Sequence, residues 1–314
     1  MTDGAAPQPA SPAALPVLLC GEFDAAEWQA WRTALAGEMP EAMWLNVDDA
    51  RRDPGAVQAA VVANPPPGSL QGLPRLRLIQ SLWAGVDRLL ADSTLPPGVP
   101  LARLVDPAMS AAMAETALWA VLSLHRGYFA YARQQRAEHW QPQAQRRADE
   151  LGVLVLGQGA LGRAAAARLS AQGYRVQGWH RGGAPLTELL PQADIVVNLL
   201  PLTPATQGLL DAAFFAALPA QASVVNLARG AHLVDADLLA ALDGGHLRHA
   251  VLDVFHSEPL PPGHPFWQHP QVTVLPHAAA QTDLRSAAAI AAANLRAMRD
   301  GRPLAHLVER RRGY

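Results

Sequence analysis

The sequence predicts an α/β protein built from two doubly wound parallel-sheet domains. Short apolar runs alternate along the chain with longer stretches of helical periodicity, which is typical of parallel strands covered by helices. The chain has 314 residues, more than one hydrophobic core usually serves, and 50% of them are hydrophobic. A glycine-rich hexapeptide at residues 157–162 also lies between a predicted strand and a predicted helix.

Turn-separated apolar runs predict the strands of both domains. The first series falls at residues 17–20, 43–47, 57–63, 76–81 and 101–104. The second series falls at residues 153–156, 176–179, 195–200, 224–227, 251–254 and 272–275. No repeat of fixed period is evident.

Two Ala-rich helices accompany the second series. Residues 110–131 predict one long helix with Ser110 as its N-cap, which could link the two domains. A polar stretch at residues 134–149 follows it. Residues 286–298 predict a helix that returns to the first domain and makes that domain discontinuous.

The composition excludes some classes of ligand and indicates the cellular compartment. Only 17% of the residues are charged and the formal net charge is -2, so there is no excess of positive charge to hold nucleic acid or an anionic membrane. Small neutral or weakly acidic ligands fit better. Cys20 is the single cysteine, so we expect no internal disulfide and a reducing, cytoplasmic compartment.

The apolar stretch at residues 13–19 is interpreted as part of a buried strand and not as a secretory signal. Asp3 stands where a signal has basic residues, and Leu19 stands where a small residue precedes cleavage. We therefore expect a first strand at residues 15–20 after a loose Pro/Ala-rich tail. No uninterrupted apolar run reaches the about 18 residues that a membrane span needs.

The glycine-rich hexapeptide has the spacing of a dinucleotide-binding turn. It follows the strand at residues 153–156 and precedes a helix predicted at residues 163–171. Its first glycine permits a tight turn, its second lets the backbone approach a pyrophosphate, and its third lets helix pack on strand. The anion would rest on the helix N-terminus. The predicted Rossmann-type site comprises Gly157, Gly159, Ala160, Leu161 and Gly162.

The end of the next strand indicates which dinucleotide is preferred. His180 and Arg181 stand where an NAD-specific site places Asp or Glu for the ribose 2'-hydroxyl. A carboxylate there would repel a 2'-phosphate, whereas Arg181 can pair with one through its planar fork. The alternative is that both side chains are solvated in a surface loop. We predict that NADP(H) is preferred and that NAD(H) can also bind.

Three segments near the carboxyl ends of later strands carry charged groups where open α/β sheets bind ligands. They are residues 226–230 with Arg229, residues 252–261 with Glu258, and residues 275–279 with His277. In this order and setting the sequence resembles the D-isomer-specific 2-hydroxyacid dehydrogenases over nearly the whole chain. Residues 252–261, 266–270 and 312–314 resemble a bacterial branch of that family that reduces glyoxylate and hydroxypyruvate.

The resemblance implies a nicotinamide-dependent reductase of small 2-keto acids. His277 would donate a proton, since imidazole changes charge within the physiological range, and Glu258 would favour its protonated form. Arg229 would clamp the substrate carboxylate and polarise the carbonyl. Singly, each of the three could be an ordinary surface or core residue. Together they favour a catalytic site, while the preferred keto acid is left open.

Further contacts are implied by the same resemblance. Trp83, Ala84 and Gly85 match the substrate loop at residues 81–87, where successive N–H groups could form an anion nest opposite Arg229. Trp83 would either narrow the pocket or only cap the core. The expected further cofactor contacts are Pro201, Thr206, Asp253 and Thr116.

The resemblance also implies the division of the chain and its assembly. Residues 1–103 with 284–314 would form a flavodoxin-like, discontinuous substrate-binding domain, and residues 104–283 the dinucleotide-binding domain. A homodimer is expected, with residues 110–131 and the segment through Trp140 in its interface.

Competing functions have weaker support in the sequence. His246 and His249 lie three residues apart, but no further ligand stands near them with metal-site spacing, so no metal is predicted. The chain has neither GxSxG nor HExxH, so hydrolase chemistry lacks its nucleophile or zinc pair. A dinucleotide-sensing interaction protein of the same fold is the main alternative, and oxidation of formate or phosphite is another.

Overall fold

The computed structural model describes residues 14–314, so the loose tail predicted before the first strand lies outside the described residues. The chain forms two compact units. The first contains residues 14–104 with 284–308, and the second contains residues 105–283 with 309–314. The last six residues thus lie in the second unit, whereas the sequence analysis grouped them with the first.

The first unit is built on a five-stranded parallel sheet in the order β2-β1-β3-β4-β5. That order is the flavodoxin-like one expected for this part of the chain. Its strands are β1 (Leu15–Gly21), β2 (Ala42–Leu45), β3 (Ala59–Ala63), β4 (Leu78–Ser81) and β5 (Leu101–Ala102). Its helices are α1 (Ala25–Glu38), α2 (Val47–Arg52), α3 (Asp87–Ala91) and α10 (Leu284–Arg299).

Buried and partly buried polar contacts hold α10 in the first unit. The Asn294 side-chain amide donates to Gln80 Oε1 at 2.7 Å, and Asn294 Oδ1 accepts from Ala305 N at 2.9 Å. Arg296 Nε donates to Glu41 Oε1 at 2.8 Å, and this bond holds the pKa of the Glu41 carboxyl well below its usual range. These contacts explain why a C-terminal helix belongs to an N-terminal sheet.

The second unit is built on a six-stranded parallel sheet in the order β11-β10-β9-β8-β6-β7. Its strands are β6 (Gly152–Leu156), β7 (Arg175–Trp179), β8 (Ile195–Asn198), β9 (Ala222–Asn226), β10 (Leu247–Leu252) and β11 (Val272–Val274). Its α-helices are α4 (Pro107–His125), α5 (Tyr128–Arg136), α6 (Ala160–Ser170), α7 (Leu186–Leu189), α8 (Ala212–Ala216) and α9 (Asp235–Asp243). Short 3-10 turns lie at Ala148–Glu150, Leu190–Gln192, Gly230–His232 and Pro265–Trp267.

The single long helix predicted at residues 110–131 is wrong in two respects. The chain breaks it at Gly127, whose φ of 72° lies in the left-handed region that glycine adopts without a steric penalty. Asp106 caps the first helix instead of Ser110, because Asp106 Oδ1 accepts from Ala108 N at 2.8 Å. Ser110 lies inside the first turn and its hydroxyl donates to Asp106 O.

By length and composition α4 is the one helix of the described chain that could cross a membrane, with a mean hydropathy of 1.2. Buried helices in protein cores pass the same test, and α4 packs on α6 through Met113, Ala117 and Val121.

His249 on β10 is buried against α5 and must stay neutral there. Its ring stacks on Phe129 at 4.3 Å, and its Nε2 lies 2.9 Å from the Thr273 hydroxyl. Burial, with the nearby charges of Arg133 and Arg248, lowers the pKa of His249 from 6.5 to about 3.

This pKa shift predicts a loss of stability in acid. In the unfolded chain His249 takes up a proton below pH 6.5, whereas in the folded chain it does so only near pH 3, so unfolding is favoured progressively as pH falls through that window. The free energy of unfolding should fall by up to about 1.4 kcal/mol per pH unit there. His249→Gln removes this proton uptake, so its Tm should fall less steeply with pH than the parent's. Parallel Tm curves for the two proteins would contradict the prediction.

Candidate active site

The turn after β6 has the geometry that a pyrophosphate requires. Gly157 has φ of 99°, and a Cβ on it would lie 2.5 Å from Leu199 O. A Cβ on Gly162 would collide with the Gly157 carbonyl, so α6 could not pack this closely with any other residue there. Above Gly159, by contrast, no described atom lies within 4 Å of a would-be Cβ. Two glycines therefore serve packing, and the third leaves open space for a ligand.

The N-terminus of α6 faces that space with free backbone donors. The first intrahelical bond runs from Arg163 N to Gly159 O, so the amides of Ala160 and Leu161 precede the helical ladder. An anion placed there would be favoured by these amides and by the helix dipole. The residues present thus fit a dinucleotide pyrophosphate.

The segment after β7, residues 180–185, carries one arginine and no carboxylate. His180 and Arg181 are both exposed, and residues 180–185 lead directly to α7 with no strand outside β7. Within the described chain, Arg181 makes no ion pair. Residues 180–185 thus offer a guanidinium for a 2'-phosphate and no carboxylate for a ribose 2'-hydroxyl.

The loop after β8 is closed by its own hydroxyl groups. Thr206 is buried, its hydroxyl donates to Pro201 O at 2.8 Å, and it accepts from Thr203 N at 2.9 Å. The Thr206 hydroxyl therefore shapes the loop, and Pro201 is the half-buried residue at its start. Their predicted cofactor contacts stay predictions.

Two buried asparagines at neighbouring strand ends fix the segment that carries Arg229. Asn198 Nδ2 donates to Asn226 Oδ1 at 3.0 Å, and Asn226 Nδ2 donates to Arg229 O at 3.0 Å. The half-buried Arg229 side chain donates to Ala228 O at 2.7 Å. Sequence reasoning missed both asparagines. The signal was present, because each is a polar residue that ends an otherwise apolar strand.

His277 and Glu258 form the pair that the sequence analysis predicted. His277 Nδ1 lies 2.7 Å from Glu258 Oε2, while Glu258 Oε1 accepts from Phe255 N at 2.9 Å. Both side chains are partly exposed, 51% for the histidine and 35% for the glutamate. With Nδ1 bonded to the carboxylate, Nε2 is the ring atom available to a ligand.

The turn that carries His277 is held in an unusual backbone conformation. Its φ of 53° lies in the left-handed region, which non-glycine residues rarely adopt. The buried Asp253 stabilises the turn, because its two carboxylate oxygens accept from Ala278 N and Ala279 N at 2.7 and 3.0 Å. The Thr116 hydroxyl on α4 donates to Ala279 O at 2.7 Å.

Asp253 and Thr116 were expected to contact the cofactor, and their observed partners are backbone groups of this turn. Burial raises the pKa of Asp253, whereas the two amide bonds and the nearby His277 lower it. Both residues orient His277 in this structure. Any contact with a dinucleotide stays a prediction.

The loop after β4 in the first unit was predicted to form an anion nest. Ala84 N and Gly85 N donate no hydrogen bond to any described residue, as a nest requires. Trp83 does not belong to it, because its N–H donates to the Ser81 hydroxyl at 3.0 Å. The Trp83 indole packs edge-on against Trp31 at 6.1 Å.

The histidines considered as metal ligands have other partners. His246 Nε2 lies 2.8 Å from Phe215 O, and His249 faces Thr273. Among residues 14–314, no group of three or more His, Cys, Asp or Glu side chains is arranged to hold a metal ion.

A glycine-rich turn between β6 and α6, with a carboxylate-bound imidazole after β11 of the same parallel sheet, is the arrangement typical of nucleotide-dependent dehydrogenases. The chain belongs to the D-isomer specific 2-hydroxyacid dehydrogenases, whose NAD binding domain is matched by residues 118–279. The resemblance and the fold class predicted from the sequence are confirmed.

Individual relatives are similar over almost the whole chain. A glyoxylate/hydroxypyruvate reductase A from Serratia proteamaculans is 39% identical, with 93% of this chain and 97% of the relative covered. A D-isomer specific 2-hydroxyacid dehydrogenase from Xanthobacter autotrophicus, solved with NADPH and MES, superposes with a TM-score of 0.90 at 38% identity, covering 96% of this chain and 100% of that one. An NADPH-dependent glyoxylate/hydroxypyruvate reductase from Sinorhizobium meliloti, solved with NADP and sulfate, gives 0.87 at 34% identity with the same coverage.

Proposed function

We propose that the protein reduces small 2-keto acids, glyoxylate and hydroxypyruvate among them, to 2-hydroxy acids with NADPH as the preferred cofactor and NADH as a second one. The observation that carries the proposal is the 2.7 Å contact of His277 with Glu258 in the same unit as the glycine-rich turn. Relatives named for this activity, and related structures that hold NADPH or NADP, support it.

The residues of the turn after β6 would hold the dinucleotide. Gly157, Gly159 and Gly162 with the amides of Ala160 and Leu161 would receive its pyrophosphate, and His180 with Arg181 its 2'-phosphate. When bound, the reduced nicotinamide supplies the hydride that adds to the carbonyl carbon of the substrate.

The chain's own residues would supply the proton and the binding groups. His277 would give its Nε2 proton to the carbonyl oxygen as the C–O double bond opens, leaving a neutral imidazole. Glu258 would favour the imidazolium before that transfer and fix the ring through Nδ1. Arg229 would bind the substrate carboxylate and polarise the carbonyl. In the first unit, the amides of Ala84 and Gly85 stay predicted donors to a carboxylate.

Oxidation of NADPH by the purified chain tests the proposal. The absorbance of the reduced nicotinamide should fall on addition of glyoxylate or hydroxypyruvate, and formate or phosphite should not reduce NADP. Absence of turnover with every small 2-keto acid would overturn the proposal. It would favour the alternative, a dinucleotide-binding protein without catalysis.

Arg181→Ala tests the cofactor preference. The parent should have a higher kcat/KM with NADPH than with NADH, because a charge-assisted bond from Arg181 to the 2'-phosphate contributes about 1.5–3 kcal/mol, or about one to two powers of ten. Because Arg181 is exposed to solvent, we expect a contribution at the lower end of this energy range. The variant should lose most of that preference. Arg75→Ala, which removes an exposed arginine of the first unit, should keep it.

Two outcomes would contradict this assignment. Equal or better use of NADH by the parent would remove the preference itself. A parent preference that survives Arg181→Ala would place the phosphate on other residues.

We further propose a cytoplasmic homodimer that uses α4, α5 and the segment through Trp140. On this surface Trp119, Tyr128 and Trp140 are 39%, 57% and 97% exposed, more than large aromatic side chains usually are in a monomer. Light scattering that gives the mass of one chain at micromolar concentration would contradict the dimer.

A further inference from the structure

We propose that His256, outside the residues assigned above, is a positioning residue that holds Glu258 in contact with His277. This inference rests on the proposed function. The His256 ring lies 2.8 Å from Leu233 O through Nε2, and it stands two residues before Glu258 on the same loop. A carbonyl oxygen only accepts, so Nε2 carries the proton and donates it.

The acceptor of this bond, Leu233 O, belongs to a rigid part of the second unit. Leu233 is 2% exposed, its N–H donates to Gly230 O at 2.9 Å, and it forms a parallel bridge with Leu210. Val234 N donates to Leu210 O at 3.1 Å and closes that bridge. The Leu233 carbonyl is therefore a fixed point to which the loop can be tied.

In the loop between Asp253 and Glu258, the Phe255 ring packs on the core with its centroid 6.4 Å from that of Phe266, whereas residues 256–258 are exposed. Phe255 and His256 touch the backbone of Gly230, where any Cβ would collide with the Phe255 carbonyl. The hydrogen bond from His256 adds a directional contact to this packing. The bond from His256 sets the position of residues 255–256 next to the segment that carries Arg229.

The position of residues 255–256 determines where the Glu258 carboxylate lies relative to His277. Phe255 N donates to Glu258 Oε1 at 2.9 Å, and Glu258 Oε2 contacts His277 Nδ1 at 2.7 Å. A shift of Phe255 would move the donor that orients the Glu258 carboxylate. The continuous path is Leu233 O, the His256 ring, Phe255 N, the Glu258 carboxylate and the His277 ring.

The charged groups around His256 do not replace this bond. Asp235 Oδ1 at the start of α9 lies 3.5 Å from Nε2, farther than Leu233 O at 2.8 Å, and His264 Nε2 lies 3.6 Å from the other oxygen of the same carboxylate. Glu258 lies on the same loop as His256. Burial raises the pKa of Asp235, and the two histidines lower it.

Two substitutions separate the hydrogen bond from the bulk of the ring. His256→Phe keeps the ring and removes the donor, whereas His256→Gln places an amide N–H near the former Nε2. With NADPH and glyoxylate, His256→Phe should lower kcat by between about 10- and 100-fold, since small displacements of catalytic groups have effects of this size. Its KM for NADPH should stay at the parent value. His256→Gln should restore kcat to within about 3-fold of the parent, because it keeps an N–H donor for Leu233 O.

The pH profile and a control variant distinguish positioning from general stability. If Glu258 no longer contacts His277 in His256→Phe, the basic limb of its pH profile of kcat/KM should move to lower pH. The Tm of His256→Phe should be close to that of His256→Gln. His264→Phe removes the other histidine that faces Asp235 and leaves the Leu233 bond intact, so its kcat and profile should match the parent's.

A proton NMR spectrum tests the inference without turnover. The Nδ1–H of His277 bonded to Glu258 should give a downfield signal that disappears in His277→Gln. That signal should persist in His256→Gln and broaden or vanish in His256→Phe, whether or not the parent reduces any keto acid. An unchanged signal and unchanged kcat in His256→Phe, or equal losses in both His256 variants at equal Tm, would overturn the inference.

Discussion

His277→Gln is expected to lower kcat for glyoxylate reduction by about 10²- to 10⁴-fold, the usual contribution of a positioned general acid. Glutamine retains a polar side chain of similar reach but cannot give up a proton to the carbonyl oxygen. The KM and Kd for NADPH should change little, because the expected dinucleotide contacts lie at residues 157–162 and 180–181. Steady-state kinetics and a fluorescence titration with NADPH measure the two effects separately.

Glu258→Gln is the matched control for that loss. It leaves the proton donor in place and removes the charge that contacts Nδ1, so its kcat should fall less than that of His277→Gln and its activity should depend more strongly on acid. A kcat of His277→Gln equal to the parent's would remove His277 from the mechanism.

Arg229→Gln should raise KM for glyoxylate and lower kcat together, reducing kcat/KM by at least about 100-fold. A guanidinium that holds the carboxylate in two places makes bonds of about 1.5–3 kcal/mol each, and it acts in both the ground state and the transition state. Arg248→Gln changes an arginine at the amino end of β10, the edge of the sheet opposite to the site, and should leave both constants unchanged. An unchanged KM in Arg229→Gln would mean that Arg229 does not hold the carboxylate.

The strand positions could be predicted because strands buried in a parallel sheet are continuous apolar runs in the sequence. The apolar runs at residues 153–156 and 195–200 correspond to β6 (Gly152–Leu156) and β8 (Ile195–Asn198), with ends that differ by one or two residues. The glycine-rich turn was equally visible, because Gly157 and Gly162 meet requirements that no other residue satisfies there.

The helix between the two strand series was harder to predict. No proline interrupts residues 110–131, and only the fold shows that Gly127, which follows His125 and Arg126, turns the chain. Ser110 and Asp106 are both good N-caps by residue type. Which of the two residues caps α4 depends on where the buried face of that helix begins.

Partners of polar side chains were the least predictable part of the site. Asp253 was assigned to a ligand from the sequence, which did not show that its oxygens also accept from the amides of residues 278 and 279. Trp83 N and the Thr206 hydroxyl are likewise bonded to neighbouring protein groups. A sequence shows that such groups are present, but only the backbone geometry decides which partner lies within about 3 Å.

Transfer of deuterium from NADPH labelled at nicotinamide C4 tests the central claim most directly. Mass spectrometry of the product formed from glyoxylate should find glycolate with one deuterium at C2 when the labelled hydrogen is the transferred one. The same experiment with His277→Gln should give much less labelled product in the same time. Failure of both C4-labelled forms of NADPH to label the glycolate, or no glycolate at all, would contradict hydride transfer to the keto carbon.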